Sequence, residues 1–254
     1  GLRVMPFPFA IWVRVTVFAA ARATRGMEPP ASPKDAPAAG SWRRYLGLLK
    51  DGNIKIILLF KVLGAVATSS LTASLPYFSK YILGDEGRST IGLALYILVA
   101  AAFVPLWERL SRRYDKRRLL FGAMLVLTII LVAIGLLITG ELVLAFYAGC
   151  ALMGTVMSAY TLIAYSFPPD LVDYYEHQTG ERHESILFGL WHTSHQLGVA
   201  FAGLMLGLFL QAAGYNGTQD TQTPSALLAI RVALALIPGV FMLLAVTILQ
   251  RYNI

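Results

Sequence analysis

The chain has 254 residues, 57% of them hydrophobic and only 14% charged, with a mean hydropathy of +0.63 and a formal net charge of +7. Soluble domains carry about 25% charged residues, so this composition is that of an integral membrane protein. The basic excess sits in short clusters at the ends of apolar runs, as membrane topology requires, which argues against nucleic acid as a partner.

Residues 1–21 read as the remnant of a preceding transmembrane helix. They are apolar over 5–21, but Arg14 lies near the middle, where a charge costs about 2.5–3.5 kcal/mol on insertion scales, and Pro6 and Pro8 interrupt the start. The chain opens on Gly1 within this run, and the expectation is a fragment whose beginning is missing. Residues 22–52 turn polar and Pro/Ala-rich, with Arg22, Arg25, Lys34, Arg43, Arg44 and Lys50. They read as a cytoplasmic linker that ends in a short amphipathic lead-in at 41–49.

Residues 53–254 hold six apolar runs, at about 54–83, 90–107, 119–139, 142–168, 186–213 and 226–249, each long enough to cross a membrane as a helix. The predicted fold is therefore an all-α membrane bundle of six helices, 53–254. The second run ends in ERLSRRYDKRR, where Arg109, Arg112, Arg113, Lys116, Arg117 and Arg118 outnumber Glu108 and Asp115 and direct that loop to the cytoplasm. Only Gly140 and Glu141 separate the third and fourth runs, which makes them an antiparallel hairpin. Alternation then puts residues 167–185 and the C-terminus inside, in a plasma-type inner membrane. The single cysteine, Cys150, lies in an apolar run and offers neither a disulfide framework nor a thiolate metal site.

Residues 167–185, FPPDLVDYYEHQTGERHES, place Asp170, Asp173, Glu176, Glu181, Arg182 and Glu184 between two nearly uncharged runs. Asp170, Asp173 and His177 share a face if the fourth helix continues past Pro169, and Gly180 then breaks it, with Arg182 and Glu184 opening the fifth. Two readings stand: a breakable gate of charges, or a hydrated loop.

Four patterns together resemble the glycoside-pentoside-hexuronide:cation symporters of the major facilitator superfamily: LPYFSKYILGDEG at 75–87, VPLWERLSRRYDKRR at 104–118, PDLVDYYEHQTGERHESILFGLW at 169–191 and AIRVALALIPG at 229–239. The resemblance covers about 41–252. It implies the six-helix C-terminal bundle of a transporter that moves a sugar, glycoside or related solute with a cation, Na+ or H+, by alternating access. It further implies that the N-terminal six-helix half holds most of the cation's ligands, so no cofactor or metal site is expected in this chain. Asp170, Asp173, Arg182, Glu184, Arg112 and Arg113 become candidates for a cytoplasmic gate. The superfamily's loop pattern is degenerate here, since Arg112 stands where an acid would be and Asp115 where a glycine would be; a topology determinant in contact with lipid headgroups is the alternative.

Polar residues inside spans should be few and should face a cavity. Lys61, Tyr77, Tyr160, Tyr165, Trp191, His192, His195 and Gln196 are the substrate-cavity candidates, of which Trp191, His192, His195 and Gln196 are expected on one helical face as an aromatic platform with hydrogen-bonding groups. Family members commonly carry a lysine near the position of Gln196, and this chain does not. Arg231 is expected to snorkel or to pair with Asp220. Gly64, Gly198, Gly203 and Gly207 are expected at close helix contacts. The alternatives are a same-fold transporter of a lipid-like or peptide-derived solute and a non-transporting membrane scaffold. An enzyme is not expected, because no nucleophile, acid/base pair or metal set converges at one depth.

Overall fold

The computed structural model describes residues 6–23, 49, 51–180 and 184–252. Most of the expected linker, and Arg182, lie outside the described residues. Contacts divide the chain into two units, Gly1–Ser41 and Trp42–Ile254. In the first, α1 (Pro6–Ala23) is one uninterrupted helix. Pro6 and Pro8 fall in its first turn, whose amides have no helical acceptor to lose, so they start the helix instead of interrupting it. Arg14 is exposed at its middle.

The second unit contains α2 (Gly52–Tyr81), α3 (Gly87–Ser111), α4 (Lys116–Leu137), α5 (Val143–Ala164), α6 (Phe167–Thr179), α7 (Glu184–Ala212) and α8 (Pro224–Leu249), with no strand among the described residues. Six stretches are long and apolar enough to cross a membrane, α5 and most of α6 counting together as one. Short polar side chains set the starts. The Asp51 carboxylate accepts the amides of Asn53 (2.7 Å) and Ile54 (3.2 Å), and Asp115 accepts those of Arg117 and Arg118 (3.0 Å each). Thr223 accepts the amide of Ala226 at the start of α8. Within the fourth expected span, 142–168, the helix is interrupted: α5 ends at Ala164, Tyr165 and Ser166 form a turn, and Pro168 and Pro169 open α6. Proline suits a first helical turn and cannot continue an existing one. Gly180 ends α6 at φ 69°, a left-handed conformation open to glycine at no steric cost.

In space the neighbours run α7, α2, α8, α4, α5, α3. Phe60, Phe78, Phe146, Met124, Leu127, Leu131 and Ile163 fill the core between them. Of α3 only Ser89 and Gly92 are buried, so most of its surface looks away from the described bundle. Close approach is set where a side chain is missing. A Cβ on Gly198 of α7 would lie 2.5 Å from the carbonyl oxygen of Val62 and 2.6 Å from Ala65 Cβ on α2, and one on Gly154 of α5 would meet the Tyr96 carbonyl of α3. Gly64 likewise faces Tyr160, whereas Gly203 and Gly207 border open space and set no contact.

Gly198→Val should therefore destabilise the bundle by about 1–3 kcal/mol through overpacking, while Gly203→Val should leave it nearly unchanged. Thermal unfolding in detergent compares the two; equal midpoints would mean that α2 and α7 do not pack at Gly198.

Candidate functional site

Lys61 lies nine residues into α2, about 14 Å along its axis, and is only 3% exposed. Its ammonium sits 4.5 Å from the ring centre of Tyr165 and 4.5 Å from that of Trp191, with Tyr165 Oη at 3.5 Å. The two rings meet edge to face at 6.0 Å. α2, the end of α5 and the first turns of α7 thus build a three-sided holder. His195, one turn beyond Trp191, lies within electrostatic reach of Lys61 and His192. Tyr160 packs on Phe60 with ring centres 5.8 Å apart and sets its hydroxyl against Gly64.

Among the described residues no carboxylate comes within ion-pair distance of Lys61. Tyr160 Oη, Trp191 Nε1 and His195 Nδ1 are also buried there without a hydrogen-bond partner. Burying an ammonium costs several kcal/mol after relaxation. Each aromatic face returns up to about 2 kcal/mol, and a 3.5 Å contact is at the long limit for a hydrogen bond. The described residues therefore hold the charge in place without fully compensating it.

The predicted quartet on α7 divides. Trp191 is buried and His195 partly so, on the side of Ser194 and Gly198, whereas His192 and Gln196 are exposed. Adjacent helical residues differ by about 100° in direction, so i and i+1 do not share a face in the way expected. Tyr77 separates altogether. It stands sixteen residues along α2 from Lys61, roughly 24 Å away, packed on Tyr215 with ring centres 5.4 Å apart; Tyr215 also touches Tyr81, hydroxyl to hydroxyl at 3.2 Å. No ion pair joins Arg231 to Asp220. Its guanidinium donates to the carbonyls of Gly135 (2.7 Å) and Ile138 (3.0 Å), closing the C-terminus of α4, where the helix dipole favours a cation.

A second polar group forms at the basic end of the bundle. Lys116 pairs with Asp170 at 3.1 Å, Arg117 donates to the Tyr252 carbonyl, Gln250 donates to the Arg117 carbonyl at 3.2 Å, and Tyr175 lies within electrostatic reach of Asp51. A cleft of about 330 Å³ lies among Asp115, Lys116, Arg117, Phe167, Asp170 and Tyr252. The Arg118 amide, helped by the Arg117 guanidinium and amide, holds the Asp115 carboxyl below the usual carboxylate range. Partial burial works against the charge of Asp51, but Tyr175 and the Ile54 and Asn53 amides outweigh it and hold that carboxyl low as well. Of the other gate candidates, Asp173, Arg113 and Glu184 are exposed, and Arg112 pairs with Glu108 one turn back at 2.7 Å. Sequence reasoning misses the parts of this group played by Asp51, Lys116 and Tyr252. The available signal was an aspartate just before each of two helices, which is an N-cap pattern.

Residues 1–254 match the model of the MFS/sugar transport protein family. The chain is 30% identical over 194 residues to the glucuronide carrier protein homolog of Escherichia coli K12, covering 74% of this chain and 41% of that protein. It is 24% identical over 203 residues to the uncharacterized symporter YjmB of Bacillus subtilis, covering 76% and 41%. It is 29% identical over 168 residues to the sphingosine-1-phosphate transporter MFSD2B of Xenopus tropicalis, covering 64% and 32%. The chain thus spans between 32% and 41% of the length of these relatives, which are named as transporters and not as enzymes.

Because Lys61 is held but undercompensated, Lys61→Met should leave the ligand-free protein as stable or more stable, whereas Trp191→Ala should cost about 3–5 kcal/mol. Thermal unfolding without added solute measures both. A large loss for Lys61→Met would mean that a group beyond the described residues already neutralises the ammonium.

Proposed function

The chain belongs to the MFS/sugar transport protein family, and on that premise we propose that it is the C-terminal half of a secondary transporter carrying a sugar, glycoside or related small solute together with Na+ or H+ by alternating access. In this reading an N-terminal six-helix half of the same protein completes the cavity and supplies most of the cation's ligands. The protein crosses a plasma-type inner membrane, with the basic end and the C-terminus in the cytoplasm. The observation that carries the reading is the cluster of Lys61, Tyr160, Tyr165, Trp191 and His195 inside an otherwise apolar bundle, with His192 and Gln196 exposed on the same turns of α7. Aromatic faces stack on the apolar faces of sugar rings, and the polar groups reach hydroxyls.

The charges at the basic end support a gate at the mouth of the cavity. Asp170 is tied to Lys116 inside this half. Asp173, Arg113 and Glu184 are exposed, and with Arg182 and Arg112 they are the candidates for contacts that form with the facing half in one state and break in the other. A second reading, transport of an amphiphilic lipid-like solute, draws on the similarity to a sphingosine-1-phosphate transporter.

Uptake by the purified full-length protein in sealed proteoliposomes decides between them. The proposal expects a panel of sugars and glycosides to include one that accumulates when an inward Na+ or H+ gradient is imposed, and not without it. Uptake confined to lipid-like solutes would favour the second reading, and accumulation independent of any ion gradient would remove the cation from the proposal.

A further inference from the structure

We infer that Lys61 is an anion-binding residue and that the solute carries a compact oxyanion, such as a carboxylate or a phosphate, beside its hydroxyl groups; this rests on the transport reading above and narrows its substrate. Among the described residues of the second unit two cations stand away from helix ends, and they are treated differently. Arg231 is matched by two backbone carbonyls at 2.7 and 3.0 Å. Lys61 is almost wholly buried and has, among the described residues, two ring faces and one distant phenol oxygen.

The surrounding atoms point the same way. Trp191 Nε1 can only donate, and it is buried without an acceptor among the described residues, as is the hydroxyl of Tyr160. His195 Nδ1 shares that condition and becomes a donor in one of its tautomers. An ammonium and an indole N–H, which can only donate, therefore stand with a phenol and an imidazole, which can do either, and with no carboxylate among the described residues. A neutral sugar hydroxyl can bond to this set but brings no charge to offset the buried ammonium. An oxyanion only accepts, and it matches the set in charge and in hydrogen bonding. Beside this set Tyr165 is half-exposed, and His192 and Gln196 are exposed on neighbouring turns of α7. No group of three or more His, Cys, Asp or Glu side chains among the described residues offers a metal as the alternative occupant.

The test uses three solutes on one sugar body: methyl β-glucuronide, methyl β-glucoside and glucose 6-phosphate, each followed by uptake into proteoliposomes of the full-length protein and by calorimetric binding in detergent. The charged solute that fits, carboxylate or phosphate, should exceed the glucoside by about 30-fold in kcat/KM, the size expected for a charge-assisted hydrogen bond. Lys61→Met should erase that preference and bring the charged solute to the level of the glucoside, and Lys61→Arg should restore part of it. The comparison among solutes in the wild-type protein stands even if a variant folds poorly. Uptake of the glucoside alone, equal uptake of all three, or a preference that survives Lys61→Met would overturn the inference while leaving sugar transport in place. Neither uptake nor binding of any of the three, together with no uptake across the wider panel of sugars and glycosides, would overturn both.

Discussion

The cost of stripping water from a charge orders this bundle. Among the described spanning helices, charged side chains stand near helix ends or on α6, apart from Lys61 and Arg231. The end charges stay hydrated or meet one another, as Lys116 meets Asp170. Arg231 escapes the cost by capping the last carbonyls of α4. Lys61 does not escape it, and the aromatic holder of Tyr165 and Trp191 is the bundle's partial answer. A charge kept inside an apolar layer at unrelieved cost is the mark of a functional position more than of a packing one.

That position depends on how closely the helices approach. α2 carries Lys61 on the side that meets α7, and the missing side chain of Gly198 lets the two backbones come together one to two turns beyond Trp191. The turn at Tyr165 and Ser166, imposed by the prolines that follow, places the Tyr165 ring over the ammonium. At the basic end, Asp51, Tyr175, Lys116, Asp170, Arg117 and Tyr252 connect the starts of α2 and α4 to α6 and the end of α8. Those links favour movement of the bundle as one body, which the proposed rocking against a second half would require.

The spanning helices were legible because apolar runs and the charges between them obey a one-dimensional rule. Membership of the family was legible in residues 167–191, whose acids and prolines resemble the family's pattern. The holder around Lys61 was legible only as a set of unusual residues. Tyr165 is 104 positions from Lys61, and no local pattern joins them; only the packing of α2 against α7 and the turn after α5 does. His192 and Gln196 were grouped with Trp191 and His195, although a step of one residue turns a helical side chain by about 100°. Tyr77 shares a helix with Lys61 but not a site, since helix length separates them. The target of Arg231 was hidden because backbone carbonyls leave no trace in residue identity.

The central claim is that Lys61 waits for a negative charge that the solute brings. A structure of the full-length protein with a bound sugar acid or sugar phosphate tests it most directly. The account predicts an oxyanion oxygen of the solute within about 3 Å of Lys61 Nζ, beside the rings of Tyr165 and Trp191. A carboxylate from another part of the protein in that place, with the solute bound elsewhere, would contradict it.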